Sequence, residues 1–202
     1  MRKSSAACLV AAAAATAVVC VSPPAFAATW TVTPGGAVTG TAGTTTLKDA
    51  NTGATLTCSS STTNATVQSG SGLSGTAIAT VTNASFNSCR GPLGIRFNMT
   101  NNAVSYQLNA NSYSAGVTSG TLDNITATLS GPLCSASVAG TTSTTPGSVT
   151  GTYTNATNTL SVSGGNLHVW NVSGCFGLLN SGDAVSYTAN YVLSPGLTIT
   201  SP

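Results

Sequence analysis

The sequence predicts an all-β fold, an antiparallel β-sandwich or barrel with two degenerate sequence halves and two disulfides. Three observations carry that prediction. Apolar and polar residues alternate in short runs, the pattern of strands with one buried face. Clusters of glycine, asparagine and serine separate the runs, where tight turns need them. Four cysteines downstream of the N-terminal segment stand in two similar settings.

The alternation is specific. Trp30 and Val32 share one face against Thr29, Thr31 and Thr33. Ile95, Phe97 and Met99 oppose Arg96 and Asn98. Val104, Tyr106, Leu108 and Ala110 repeat the pattern, and Val185, Tyr187, Ala189, Tyr191 and Leu193 repeat it again opposite Ser186, Thr188 and Asn190. Threonine, abundant throughout, suits a half-buried pleat. Beyond residue 27 no segment carries the three-to-four apolar period of a helix. Turn signals fall at Pro34-Gly35-Gly36, Asn51-Thr52-Gly53, Gly70-Ser71-Gly72, Pro146-Gly147, Gly164-Gly165 and Asn180-Ser181-Gly182. Roughly a dozen short strands fit between them, as in a sandwich or a closed barrel. A stacked β-solenoid is the alternative, but no short fixed period repeats along the chain.

Residues 1–27 read as an export signal. Arg2 and Lys3 form its charged start, an alanine-rich apolar run follows, and Ala25-Phe26-Ala27 fits the small-x-small cleavage rule. The apolar run is too short to span a bilayer and is broken by Pro23 and Pro24. Residues 28–202 are then expected to form a single secreted β domain without a transmembrane segment.

Export sets the meaning of the cysteines. Cys8 and Cys20 leave with the signal, whereas Cys58, Cys89, Cys134 and Cys175 remain, and an even number in an exported chain implies disulfides. Zinc is disfavoured, because there is no Cys-x-x-Cys pair and His168 is the sole histidine. An internal repeat selects among the three pairings. Gly36-Ala37-Val38-Thr39-Gly40-Thr41 resembles Gly116-Val117-Thr118-Ser119-Gly120-Thr121. Leu56-Thr57-Cys58-Ser59 resembles Pro132-Leu133-Cys134-Ser135, and Cys89-Arg90-Gly91-Pro92-Leu93 resembles Cys175-Phe176-Gly177-Leu178-Leu179. Ala103-Val104-Ser105-Tyr106 recurs as Ala184-Val185-Ser186-Tyr187. The pieces keep their order, so the halves divide near residue 113, as about 28–112 and 113–202. The repeat predicts Cys58–Cys89 and Cys134–Cys175, each worth about 3–4 kcal/mol in the chain-entropy model.

Charge limits the chemistry. The formal net charge is +2, and Arg2 and Lys3 supply it. The rest carries Lys48, Arg90, Arg96, Asp49, Asp123 and Asp183, with no glutamate. A Ser-His-Asp hydrolase would use His168, but no Gly-x-Ser-x-Gly elbow presents a nucleophile. The three aspartates all sit beside turn-like sequence, where capping is the ordinary role. Asp49-Ala50-Asn51-Thr52-Gly53 resembles the start of a calcium loop but lacks the later ligands, which favours an Asx turn. Lys48 reads as a solvent-exposed lysine rather than a partner in a Lys–Asn cross-link. Two arginines make no basic patch, so nucleic acid is not an expected partner. No cofactor is expected, and the chain is expected not to be an enzyme.

The candidate binding residues lie in the loops after the second cysteine of each pair: Pro92, Leu93 and Ile95 in one, Phe176, Leu178 and Leu179 in the other. Related halves would place them alike, as an apolar patch, and exposed apolar patches mark interaction sites. The competing reading is that these residues begin core strands. Trp170, with Trp30, Tyr113 and Tyr153, is the candidate for an aromatic platform, against the competing reading of core packing.

The order of elements resembles small secreted proteins described as activators of alkane oxidation. The matching pieces are Pro34-Gly35, Leu56-Thr57-Cys58, Cys89-Arg90-Gly91-Pro92-Leu93, Cys134, Gly151-Thr152-Tyr153-Thr154-Asn155-Ala156-Thr157, Cys175 and Ser194-Pro195-Gly196-Leu197. The loop after Cys89 departs from that family in having Gly94 and Ile95 where a tryptophan is expected after the proline. The resemblance implies a non-enzymatic extracellular protein linked to cell contact with hydrophobic material. The expected function is therefore a secreted β-protein mediating cell-surface or hydrophobic-surface interaction, with a carbohydrate-binding or adhesin-like module as the alternative. Its expected partners are a hydrophobic surface or a cell-envelope component, with a polysaccharide under the alternative; near-zero charge also permits self-association.

Overall fold

Each segment that alternates in sequence becomes a strand, and most strands continue through a short bend into the next. The computed structural model describes residues 29–103 and 105–202. The expected export signal and Val104 lie outside the described residues.

Eight long staves follow one another along the chain, seven of them made of two strands each. The first is β2 (Gly36–Ala42) with β3 (Thr45–Asp49), and the second is β4 (Thr55–Cys58) with β5 (Ser60–Val67). The third is β7 (Ala79–Asn87) with β8 (Cys89–Arg90), and the fourth is β9 (Arg96–Asn101) with β10 (Tyr106–Ser114). The fifth is β11 (Val117–Ile125) with β12 (Ala127–Gly131), and the sixth is β13 (Cys134–Ala139) with β14 (Gly147–Thr154). The seventh is β15 (Thr159–Ser163) with β16 (His168–Gly174), and the eighth is the unbroken β17 (Val185–Ser194). The short strands β1 (Trp30–Thr33), β6 (Gly70–Leu73) and β18 (Thr198–Thr200) stand apart from the staves.

Neighbours in sequence are neighbours in space, and every pairing is antiparallel. Around one half of the barrel the order is β15-β14-β11-β10-β7-β5-β2-β17, closed by β17 pairing back to β15. Around the other half it is β17-β3-β4-β8-β9-β12-β13-β16. That half closes through the His168–Ala184 bridge and the bonds Val169 N–H to Asp183 O (2.9 Å) and Val185 N–H to Leu167 O (2.9 Å). The result is an up-and-down barrel of eight staves, of the two expected architectures the closed one. Closure removes the exposed sheet edges that a sandwich must protect.

The alternation sets inside from outside. Along β17, Val185, Ala189 and Tyr191 are buried, while Ser186, Thr188 and Asn190 are exposed. The same arrangement on the other staves turns threonine, serine and asparagine outward and apolar side chains inward, the reverse of a lipid-embedded barrel. Among the described residues no helix is long and apolar enough to cross a membrane. Two apolar clusters fill the interior. One, with Leu47, Leu129, Val149, Val169 and Val185, spans the middle and one end. The other, with Trp30, Val32, Ile78, Leu197 and Ile199, lies at the opposite end under a three-stranded cap of order β18-β1-β6. Each fully enclosed valine or leucine there contributes about 1.5–3 kcal/mol.

Cys58 bonds Cys89 (S–S 2.02 Å), and Cys134 bonds Cys175 (2.01 Å), the pairing expected from the repeat. The first joins staves two and three, and the second joins staves six and seven, both at the end away from the cap. The other repeated pieces also occupy matching staves, with β2 answering β11 and the residues around Tyr106 answering those around Tyr187.

Candidate functional site

The end of the barrel opposite the cap carries the hairpin connections β3–β4, β8–β9, β12–β13 and β16–β17. Because β9, β12, β13 and β16 are consecutive around the wall, the last three connections stand side by side. Each presents one large apolar side chain to solvent: Leu93 (97 % exposed), Leu133 (68 %) and Phe176 (77 %). The other large apolar side chain of high exposure among the described residues is Val192, on the outer wall.

Two of these residues are held in an unfavourable backbone conformation. Leu93 has φ 57° and ψ 16°, and Phe176 has φ 48° and ψ 36°. The left-handed region costs a residue with a Cβ about 1–2 kcal/mol, and glycine escapes that cost. Neither side chain recovers the cost by packing. Both residues are therefore strained and exposed at once, which core packing does not account for.

The neighbouring residues do the anchoring. Pro92, Leu178 and Leu179 converge under the rim on Leu47, Phe97 and Val185 around a void of about 30 Å³. Ile95 and Leu179 pack against the lower core. The six loop residues read from sequence as one patch thus divide: Leu93 and Phe176 are presented, while Pro92, Ile95, Leu178 and Leu179 hold the loops down. Gly91 N–H donates to Ile95 O (2.8 Å), and Leu178 N–H donates to Cys175 O (2.8 Å), tightening both turns. At Gly174 (φ 71°) a Cβ would stand 2.1 Å from the Leu133 carbonyl oxygen, so only glycine lets these two loops meet.

A polar network braces the β3–β4 connection against the β16–β17 connection. Asp49 Oδ1 accepts from the backbone N–H groups of Asn51 (2.8 Å) and Thr52 (2.9 Å), forming an Asx turn. Asn51 Nδ2 donates to Asp183 Oδ1 (2.7 Å). Asp183 Oδ2 accepts from Asn180 N (2.9 Å) and Asn180 Nδ2 (3.0 Å). Thr52 Oγ1 donates to Leu178 O (2.8 Å). Burial pushes the Asp183 carboxyl up, but the Asn180 and Asn51 hydrogen bonds outweigh it and hold the group below the usual carboxylate range.

The remaining candidates stay outside the rim. Trp170 lies half-buried on β16, donating its indole N–H to Gly140 O (3.0 Å) and stacking on His168 at 6.2 Å between ring centroids. His168 Nδ1 is 3.0 Å from the Asn166 carbonyl oxygen. Trp30 and Tyr153 are buried under the cap, so they present no face for a sugar. Asp123 accepts from Asn109 Nδ2 (2.7 Å), remote from Asp49 and Asp183 in the barrel, and Lys48 is exposed. Leu133 was missed by the sequence reading. Its alignment with Thr57, a strand residue, concealed that Pro132-Leu133 forms the tip of a hairpin.

At mid-barrel the interior holds a polar knot. Ser61 Oγ donates to Tyr191 Oη (2.9 Å), and the Tyr187 and Tyr191 hydroxyls lie 2.7 Å apart. Phe86 meets Tyr187 edge-on at 6.2 Å. Burial, and then the neighbouring Tyr191, push the Tyr187 hydroxyl far up and the Tyr106 hydroxyl up to about 12.

Fold and rim together define a small β-barrel, stapled by two disulfides at the end where it displays apolar side chains. The chain belongs to the PraA/PraB-like alkane oxidation protein activators, whose family model matches residues 1–201. No curated protein and no solved structure matches it.

Proposed function

We propose that this is an exported, non-enzymatic protein that contacts hydrophobic material through the rim residues Leu93, Leu133 and Phe176. The observation that carries the reading is the pair Leu93 and Phe176, each apolar, exposed and in the left-handed region. Burying one such side chain in oil is worth about 1.5–3 kcal/mol, so three on a pre-organised rim supply useful adhesion without further folding. The family's description ties its members to alkane oxidation, and the charged and apolar N-terminal segment supports export. We infer also that the two halves descend from one duplicated four-stave unit, supported by the matching placement of the repeated segments.

The test is depletion of oxidised residues 28–202 from solution by hexadecane droplets, with chitin and cellulose in parallel. Selective loss to the oil that disappears in a Leu93→Ser/Phe176→Ser variant is the expected result. Retention on a polysaccharide alone would replace this reading with the carbohydrate-binding one. Indifference of the double variant would move the contact away from the rim.

A further inference from the structure

We propose that the barrel interior is a second site, separate from the rim, that binds a single unbranched alkyl chain. Two internal voids, of about 70 Å³ and about 100 Å³, carry the proposal. Both are lined by Thr63, Val81, Leu108, Leu122, Val149 and Leu160, so they adjoin across a shared layer of side chains. The first continues to Leu197 and Ile199 beneath the cap, and the second to Leu47 and Leu167 in the other half. The two voids therefore lie in line along the barrel axis, and an alkyl chain that displaces the side chains between them would join them.

Native interiors are close-packed and leave few voids larger than a water. Eight strands enclose just enough space for side chains or one small ligand. An apolar cavity of about 150 Å³ stays dry and takes up a molecule the size of benzene. The two voids together are of that order and chemistry. Water is a poor occupant, because a buried water needs two to four polar partners. The Tyr187 and Tyr191 hydroxyls are already bonded to each other. Of the buried unpartnered polar atoms among the described residues, only Thr118 Oγ1 belongs to a residue lining either void, one partner where a water needs at least two. Two narrow apolar voids in line along an axis match a linear chain better than a ring.

The wall has a loosely laced seam beside the larger void. Staves three and four pair at Val81–Tyr106 and again at Cys89–Phe97. Between those points residues 86–88 and 98–101 share no backbone ladder, the gap being crossed by the Asn101 side-chain amide donating to Ala84 O (2.8 Å). Ala84, Phe86, Met99 and Asn101 flank this seam and line the larger void.

The decisive measurement is a methyl chemical-shift titration of ¹³C-labelled oxidised residues 28–202 with n-hexane, and separately with cyclohexane. The expected result is saturable shifts at Leu108, Leu122, Val149 and Leu160, with n-hexane binding at least tenfold more tightly than cyclohexane. Val149→Phe, which fills the space where the two voids adjoin, should weaken n-hexane at least tenfold. If that variant does not fold, intermolecular NOEs from n-hexane to Leu122 and Leu160 in the unaltered protein decide the matter. Shifts confined to Leu93 and Leu133, no saturable shift, or a folded Val149→Phe with unchanged affinity would overturn the proposal. Droplet depletion reads the rim and the methyl map reads the lumen, so either reading can fail alone.

Discussion

The backbone N–H of Cys175 donates to the carbonyl of Leu133 across 3.1 Å. That bond joins the tip of the β12–β13 hairpin to the turn that carries Phe176, and the Cys134–Cys175 disulfide closes the same junction covalently. Two of the three exposed apolar side chains of the rim are thereby held as one unit. The third, Leu93, sits in the turn that follows Cys89, which is bonded to Cys58.

Replacing Leu93 or Phe176 with glycine should raise stability and lower oil adhesion together. Glycine relieves the left-handed conformation, a gain of about 1 kcal/mol at each position, offset in part by the greater freedom of the unfolded chain. Urea midpoints and droplet depletion measured on the same samples check this. A variant that loses both stability and adhesion would show that these side chains are structural.

The Asp183 network predicts acid sensitivity. The folded-state pKa is depressed, so its stabilisation is present above the unfolded carboxylate value of about 3.9. It is lost as pH falls through the lower folded value, since the unfolded chain takes up the proton first. Asp183→Asn should flatten the fall in thermal midpoint between about pH 4 and pH 2. An unchanged slope would assign the acid response to other groups.

The tyrosine knot predicts the opposite limb. Tyr106 and Tyr187 have folded pKa values raised above the ordinary value of 10.0. Their contribution is complete below that value and declines as pH rises toward the folded values, because the unfolded chain ionises first. Tyrosinate absorbance should therefore appear together with loss of β circular dichroism above about pH 10. Tyr187→Phe should shift that transition to higher pH. Ionisation of all tyrosines before unfolding would contradict the buried knot.

Much of this was legible in the chain because it is local. Alternation at residues 185–193 sets which side chains of β17 face inward, whatever the strand pairs with. The order of the repeated pieces selected Cys58–Cys89 and Cys134–Cys175 from the three pairings. The short loops after Cys89 and Cys175 marked where apolar side chains stand outside the alternation.

What the sequence alone determined, then, was the strands, their inward faces, the disulfide partners and two of the three rim loops. The tertiary structure decided the rest. Whether an alternating chain closes depends on hydrogen bonds between β15 and β17 and on the bridge from His168 to Ala184, contacts that no local pattern encodes. The same closure brings Leu133 between Leu93 and Phe176 and buries Trp30 and Tyr153. It also leaves the two apolar voids, whose width is set by the number of staves and the packing across them rather than by any single residue.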